Sequence, residues 1–71
     1  MNLTPENLEA LVMAHRYLYY VLNTPIISDY EYNQLEHEAR EVLPKSSPVH
    51  SAGSEANSSY SDYIRMLALQ M

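Results

Sequence analysis

The sequence predicts a small all-α domain in which two helices are joined by a tight, proline-containing corner, with a third, C-terminal helix after a loop. Three observations favour this fold class. The 71 residues contain a single glycine, whereas turn-rich β folds use glycine freely. Apolar residues recur at helical spacing in three stretches, as they do on the buried face of an amphipathic helix. Serine or threonine precedes each stretch and can cap the first turn.

The first helix is predicted from Pro5 to Leu22. Thr4 is suited to the N-cap, and proline is tolerated at the first helical position because its missing N–H has no intrahelical partner there. The apolar stripe of this helix is predicted to be Leu8, Leu11, Val12, Leu18, Tyr19 and Leu22.

A corner is predicted at residues 24–27, where Pro25 interrupts the helical pattern. Ser28 and Glu31 then have the spacing of a capping box, in which the serine accepts from the helix and the glutamate reaches back. The second helix is therefore predicted from Asp29 to Leu43, ending before Pro44. Residues 1–44 are interpreted as one two-helix module.

Residues 45–58 are rich in serine and lack periodicity, so they are predicted to form a flexible, exposed loop. A third helix, capped by Ser58 or Ser59, is predicted over residues 59–71. It either docks on the first two helices or binds a partner. Its apolar set is Tyr60, Tyr63, Ile64, Leu67, Ala68 and Met71.

Charge and composition exclude several classes of function. The net charge is −5 and the four basic residues are scattered, so direct binding to nucleic acid is not expected. The chain has no cysteine, and its three histidines do not fall at ligand spacing, so neither disulfides nor a metal site are predicted. No apolar run approaches the length of a bilayer span, and a cytoplasmic location is expected. His37, Glu36, Glu38 and Glu41 are interpreted as a solvated face.

Residues 17–35 resemble a known family. Their sequence is similar to a pattern of Tyr-x-Tyr-Tyr/His-Val, a short x-Pro-x-Ile corner, and Ser/Pro-Asp-x-Glu-Tyr-Asp-x-Leu. This pattern is typical of the N-terminal Ia domain of bacterial NAD-dependent DNA ligases. Further on, residues 47–53 are similar to the family's Asp-Ser-Pro-Thr-x-x-Val-Gly-Gly segment. Residues 65–69 are similar to the Pro-Met-Leu-Ser-Leu that opens its adenylation domain.

The resemblance implies a cofactor site. In this family the Ia domain holds the nicotinamide mononucleotide half of NAD, while a lysine of the adenylation domain attacks the AMP phosphorus. The positions that match the nicotinamide-binding residues are Tyr19, Tyr20, Asp29, Tyr32 and Asn33. Asn33 stands where the family has aspartate. A purely structural reading stays open for two of them: Asp29 as an acid at a helix N-terminus and Tyr32 as part of a hydrophobic staple.

Two functions follow from these observations. The first is a nicotinamide-binding module that assists a separate or downstream adenylation domain. The second is a small acidic protein, such as a phage-encoded one, that binds and regulates a host protein through the tyrosine-rich corner. In neither case is the chain expected to be catalytic alone, because Lys45, its only lysine, lacks the Lys-x-Asp-Gly context of the ligase nucleophile. Self-association is left open.

Overall fold

The protein is all-helical over the residues that its structure, a computed structural model, describes: 4–50, 56, 58 and 60–71. This confirms the predicted fold class, and no strand occurs in that part of the chain. Within the same residues, no helix has the length and hydrophobicity needed to cross a membrane. The elements are α1 (Pro5–Arg16), a π-helical turn (Tyr17–Val21), α2 (Asp29–Val42), a 3-10 turn (Pro48–His50) and α3 (Asp62–Leu69).

The first helix changes its type after Arg16. Thr4 caps α1 as predicted, its hydroxyl accepting from the Asn7 N–H at 3.1 Å. The backbone then adopts i→i+5 hydrogen bonds, such as Leu22 N–H to the Tyr17 carbonyl at 3.1 Å. The prediction of one regular helix to Leu22 is therefore wrong for its last turn. Since a π-helical turn holds more residues than an α-helical one, the apolar stripe loses its register, and Leu22 is exposed.

The corner ends this turn and starts α2. Asn23 has a positive φ of 55°, a conformation that asparagine tolerates better than most residues. The Thr24 N–H donates to the Leu18 carbonyl at 2.8 Å. The predicted capping box is present: the Glu31 N–H donates to Ser28 Oγ at 3.1 Å, and the Ser28 N–H donates to Glu31 Oε1 at 3.4 Å. The residue before Pro44 is extended and ends α2, because proline disfavours the helical region for its predecessor.

The core forms around α1, which contacts α2, α3 and the 3-10 turn. Tyr17 and Tyr60 meet edge to face in it, with ring centroids 5.4 Å apart, a favoured arrangement of aromatic rings. α1 therefore connects the two-helix module with α3. The buried apolar residues are Leu8, Val12, Met13, Ala14, Tyr17, Leu18, Ala39, Leu43, Val49, Tyr60, Ile64 and Ala68.

The expectation of an exposed connection is corrected for residues 47–50. Ser47 is buried and Val49 is fully buried against the core. The backbone carbonyls of Pro48 and Val49 accept hydrogen bonds from Arg16 of α1, so the polar backbone of the turn is satisfied inside the protein. This part of the connection is a packed element.

The third helix begins later than predicted. Its N-cap is Ser61, whose hydroxyl accepts from the Ile64 N–H at 3.3 Å, and Asp62 in its first turn forms an ion pair with Arg65. Ser58 is not the cap. The other candidate, Ser59, and residues 51–53 of the family-like segment lie outside the described residues.

Candidate functional site

The five residues singled out by the resemblance line one cleft at the helical corner. Its volume is about 250 Å³. Pockets that hold drug-sized ligands are about 300–1,000 Å³, so this cleft suits part of a dinucleotide rather than all of it. The residues that line it are Tyr19, Tyr20, Asp29, Tyr32 and Asn33.

The wall on the α1 side is a pair of tyrosines in the π-helical turn. In an α-helix, consecutive side chains point about 100° apart, yet Tyr19 and Tyr20 both line the cleft. Their rings meet edge to face with centroids 4.9 Å apart. Tyr19 was predicted to lie on the apolar stripe of the first helix, but it is 46% exposed. The π-helical turn thus gives the cleft two accessible aromatic rings.

The opposite wall is the first turn and a half of α2. Asp29 is the first residue of the helix, and Tyr32 and Asn33 follow one turn later, where residues three and four apart share a face. Asp29 is exposed and lies at the positive end of the helix dipole, which stabilises its negative charge. The capping box fixes where this helix starts and therefore where these side chains lie.

Behind the cleft, Tyr32 is hydrogen-bonded to a buried arginine. Arg16 is only 2% exposed, and its Nε–H donates to Tyr32 Oη at 2.8 Å. Burial raises the pKa of Tyr32; the Arg16 guanidinium opposes that rise, and the Glu36 carboxylate adds to it. The phenol therefore stays neutral and contributes no charge to the cleft.

Glu36 balances the charge of the arginine. Its Oε2 lies 3.5 Å from Arg16 Nη2, and its Oε1 lies 2.8 Å from Arg40 Nη2. The interpretation of Glu36 as part of a solvated face is therefore wrong, because its side chain is half-buried between two arginines. His37 and Glu41 do belong to an exposed face, where they pair with each other.

Sequence reasoning missed Arg16, although a signal was present. Leu8, Val12 and Arg16 are spaced four residues apart, so Arg16 continues the buried face of α1. A cation at such a position needs partners inside the protein. The spacing could have predicted its burial, but not which residues it contacts.

The charge of the cleft favours a cationic ligand group. Of the described residues that line it, Asp29 alone carries a charge at neutral pH and none is basic. A planar cation would meet both a carboxylate and tyrosine rings, which attract cations over their faces. A phosphate would find no basic side chain there. The side chains that line the cleft thus suit a planar, positively charged group better than a phosphate.

Comparison with known proteins identifies the family. Residues 2–50 match the family described as the DNA ligase-like, N-terminal NAD+-binding domain. The chain is 39% identical over 57 residues to a DNA ligase of Porphyromonas gingivalis, an alignment that covers 70% of this chain and 8% of the ligase. It is 46% identical over 37 residues to a DNA ligase of Persephonella marina, covering 52% of this chain and 5% of that protein. No solved structure matches at a comparable level of significance.

The chain therefore belongs to the family of N-terminal NAD+-binding domains of DNA ligases. This confirms the predicted resemblance, and with it NAD as the cofactor of the family. The chain spans less than a tenth of the length of the curated relatives it matches. All five cleft residues lie within the matched range, whereas α3 and the ligase-like residues 65–69 lie beyond it. The role of each residue in the cleft stays a prediction.

Proposed function

We propose that the cleft binds the nicotinamide mononucleotide half of NAD and that the chain assists a separate or downstream adenylation domain. One observation carries this proposal: the five positions that match the family's nicotinamide-binding residues come from both sides of the corner and line the same cleft. Residues 1–44, which contain this corner, would be the binding module.

The chemistry of the cleft supports this ligand. Oxidised nicotinamide is a planar cation, and a tyrosine face attracts a cation by about 0.5–2 kcal/mol, depending on desolvation. Tyr19 and Tyr20 offer exposed rings, and Asp29 adds a carboxylate. Asn33, in the place of the family's aspartate, can still hydrogen-bond ribose hydroxyls through its amide.

The orientation of the ligand follows from the charges. The pyridinium ring enters the cleft, and the phosphate points out of it, away from Asp29. A partner adenylation domain would receive the AMP half of NAD and supply the lysine nucleophile. Because that partner would provide part of the contacts, the isolated chain should bind nicotinamide mononucleotide weakly. We expect a Kd on the order of 1 mM, or about −4 kcal/mol.

The test is a chemical-shift titration of the chain with nicotinamide mononucleotide. The signals of Tyr19, Asp29 and Tyr32 should move together along one binding curve. Reduced nicotinamide mononucleotide, whose ring is neutral, is the matched control ligand and should bind several-fold more weakly, since it loses the cation–π term. Absence of any shift at about ten times the expected Kd would contradict a nicotinamide site.

Restoring the family residue gives a sharper test. Asn33→Asp places a second carboxylate beside the pyridinium, and a charge pair near a protein surface should tighten binding by about 1 kcal/mol, roughly five-fold. The gain should shrink in high salt. Gln34→Glu is the matched control, because it adds the same charge on an exposed neighbouring position that does not line the cleft. Equal effects of the two substitutions would indicate general attraction rather than a site.

A second candidate function is supported by α3. This helix lies beyond the range of the family match and exposes Tyr63, Met66 and Leu69. An exposed apolar surface of this kind supports the alternative function, in which the chain is a small acidic protein that binds and regulates a host protein. In that case nicotinamide mononucleotide binding stays undetectable in wild type and in Asn33→Asp, which separates the two candidates.

A further inference from the structure

We propose that Arg16 is a positioning residue for the cleft. Its guanidinium fixes the Tyr32 ring through the Tyr32 hydroxyl and anchors this side chain to the 3-10 turn. The inference rests on the proposed function, since the cleft is taken to bind nicotinamide mononucleotide. Arg16 does not line the cleft, so its effect on the ligand passes through Tyr32.

All three nitrogens of the guanidinium are engaged. Nε donates to Tyr32 Oη at 2.8 Å. Nη1 donates to the Pro48 carbonyl at 3.1 Å, and Nη2 donates to the Val49 carbonyl at 2.6 Å. Nη2 also lies 3.5 Å from the Glu36 carboxylate. Because the guanidinium is planar and rigid, the contacts of its two terminal nitrogens determine the direction in which Nε points.

The position of Tyr32 follows from this direction. Its hydroxyl accepts from Arg16, whose side chain is buried, while the residue lines the cleft. Because the hydroxyl is held by this hydrogen bond, the ring is the part of Tyr32 left to meet a ligand in the cleft. An apolar residue of similar size would avoid the desolvation cost of a buried charge, but it would leave the partners of Arg16 without a donor and could not hold the phenol oxygen in one direction.

The interaction also connects three parts of the chain. Arg16 is the last residue of α1, Tyr32 lies in the second turn of α2, and residues 48–50 form the 3-10 turn. One side chain therefore ties the wall of the cleft to the segment that follows α2. Lysine cannot replace it, since an ammonium group lacks the planar fork that reaches all of these acceptors.

The test is a double-mutant cycle on ligand affinity. Tyr32→Phe keeps the ring and removes only the acceptor, and Arg16→Lys keeps the charge and removes the fork. Each should weaken nicotinamide mononucleotide binding by about three- to ten-fold, the range of one hydrogen bond. The double variant should bind the ligand no more weakly than the weaker-binding single variant, because both substitutions break the same contact. Losses that multiply would overturn the proposal.

Two further measurements separate positioning from simple stabilisation. The coupling constants that report χ1 of residue 32 should indicate one rotamer in wild type and averaging in both single variants. Arg40→Lys is the control: Arg40 contacts the same Glu36 carboxylate but not Tyr32, so both affinity and rotamer should stay unchanged. If Arg16→Lys does not fold, Tyr32→Phe alone decides: unchanged affinity, or a single rotamer at residue 32, would overturn the proposal.

Failure of this proposal can be told apart from failure of the proposed function. Wild type that does not bind nicotinamide mononucleotide contradicts both. Wild type that binds, together with variants that bind equally well, contradicts only the role of Arg16.

Discussion

Replacing Arg16 by methionine should destabilise the protein more than any exposed charge change. The substitution keeps a long, unbranched side chain in the same volume and removes the guanidinium. The side chain is 2% exposed, so water cannot readily take the place of the lost donors. Three kinds of partner lose their hydrogen bonds at once: a phenol, a carboxylate and two backbone carbonyls.

The size of the effect follows from the surroundings of these partners. A buried polar group left without its partner costs about 1–3 kcal/mol, and the Val49 carbonyl is the clearest case, because its hydrogen bond to Arg16 is buried. The Glu36 carboxylate keeps Arg40 and some contact with water, which reduces its share. Breaking a buried ion pair typically costs about 3–5 kcal/mol. A domain of this size has a total stability of about 4–10 kcal/mol, so Arg16→Met should remove a third of it or more.

The assay is urea unfolding followed by circular dichroism, with Arg40→Met as the matched control. Arg40 pairs with the same carboxylate at 2.8 Å but is 46% exposed, and surface ion pairs contribute about 0–1 kcal/mol. The unfolding midpoint should therefore fall far more for Arg16→Met than for Arg40→Met. Equal losses, or a loss below about 1 kcal/mol for Arg16→Met, would refute the view that the buried network holds α1, α2 and the turn together.

Three further predictions concern local features. Ser28→Ala should lower the free energy of unfolding by about 1 kcal/mol, because it removes the α2 cap, and it should also weaken nicotinamide mononucleotide binding. Thr4→Ala removes the α1 cap, far from the cleft. It should lower the free energy of unfolding by a similar amount and leave binding unchanged. Val49→Ala should cost about 2 kcal/mol in thermal unfolding, because the side chain is fully buried; a cost near zero would restore the exposed-loop interpretation. Burial lowers the pKa of His15 below 6.5, so the unfolded state takes up a proton first as pH falls. The contribution of neutral His15 to the free energy of unfolding should therefore be fully present above about pH 6.5 and decline below it. His15→Gln should flatten this decline in urea unfolding, and His37→Gln, at an exposed position, should not.

The helix boundaries could be predicted where local chemistry determines them. Thr4 with Pro5, and Ser28 with Glu31, give cap signals within four residues of sequence, and both caps are present. Pro44 ends α2 within one residue of the predicted position. The start of α3 was misplaced because serine occurs at 58, 59 and 61. Each of these serines can cap a helix, so the local sequence does not choose among them.

The features that escaped prediction depend on contacts between distant segments. The packing of residues 47–50 rests on hydrogen bonds from Arg16, more than thirty residues earlier in the chain. The π-helical turn has the same apolar spacing as a regular helix, so periodicity alone predicts α-helix there. The cleft residues were found because the family resemblance supplied their identities. Their spacing along the chain did not predict that two consecutive tyrosines would share one wall.

The start of α2 also explains why the cleft should select the nicotinamide end of NAD over its phosphates. A helix N-terminus with free backbone N–H groups is a natural phosphate site. Here the Glu31 N–H is already taken by Ser28 Oγ, and Asp29 places a carboxylate at the positive end of the dipole. The same end of the helix that would attract a phosphate in other proteins therefore repels one here. A pyridinium cation would meet the opposite situation, since the dipole stabilises the carboxylate that would attract it. In the proposed complex, the tyrosines of the π-helical turn would supply the surface on which the ring stacks.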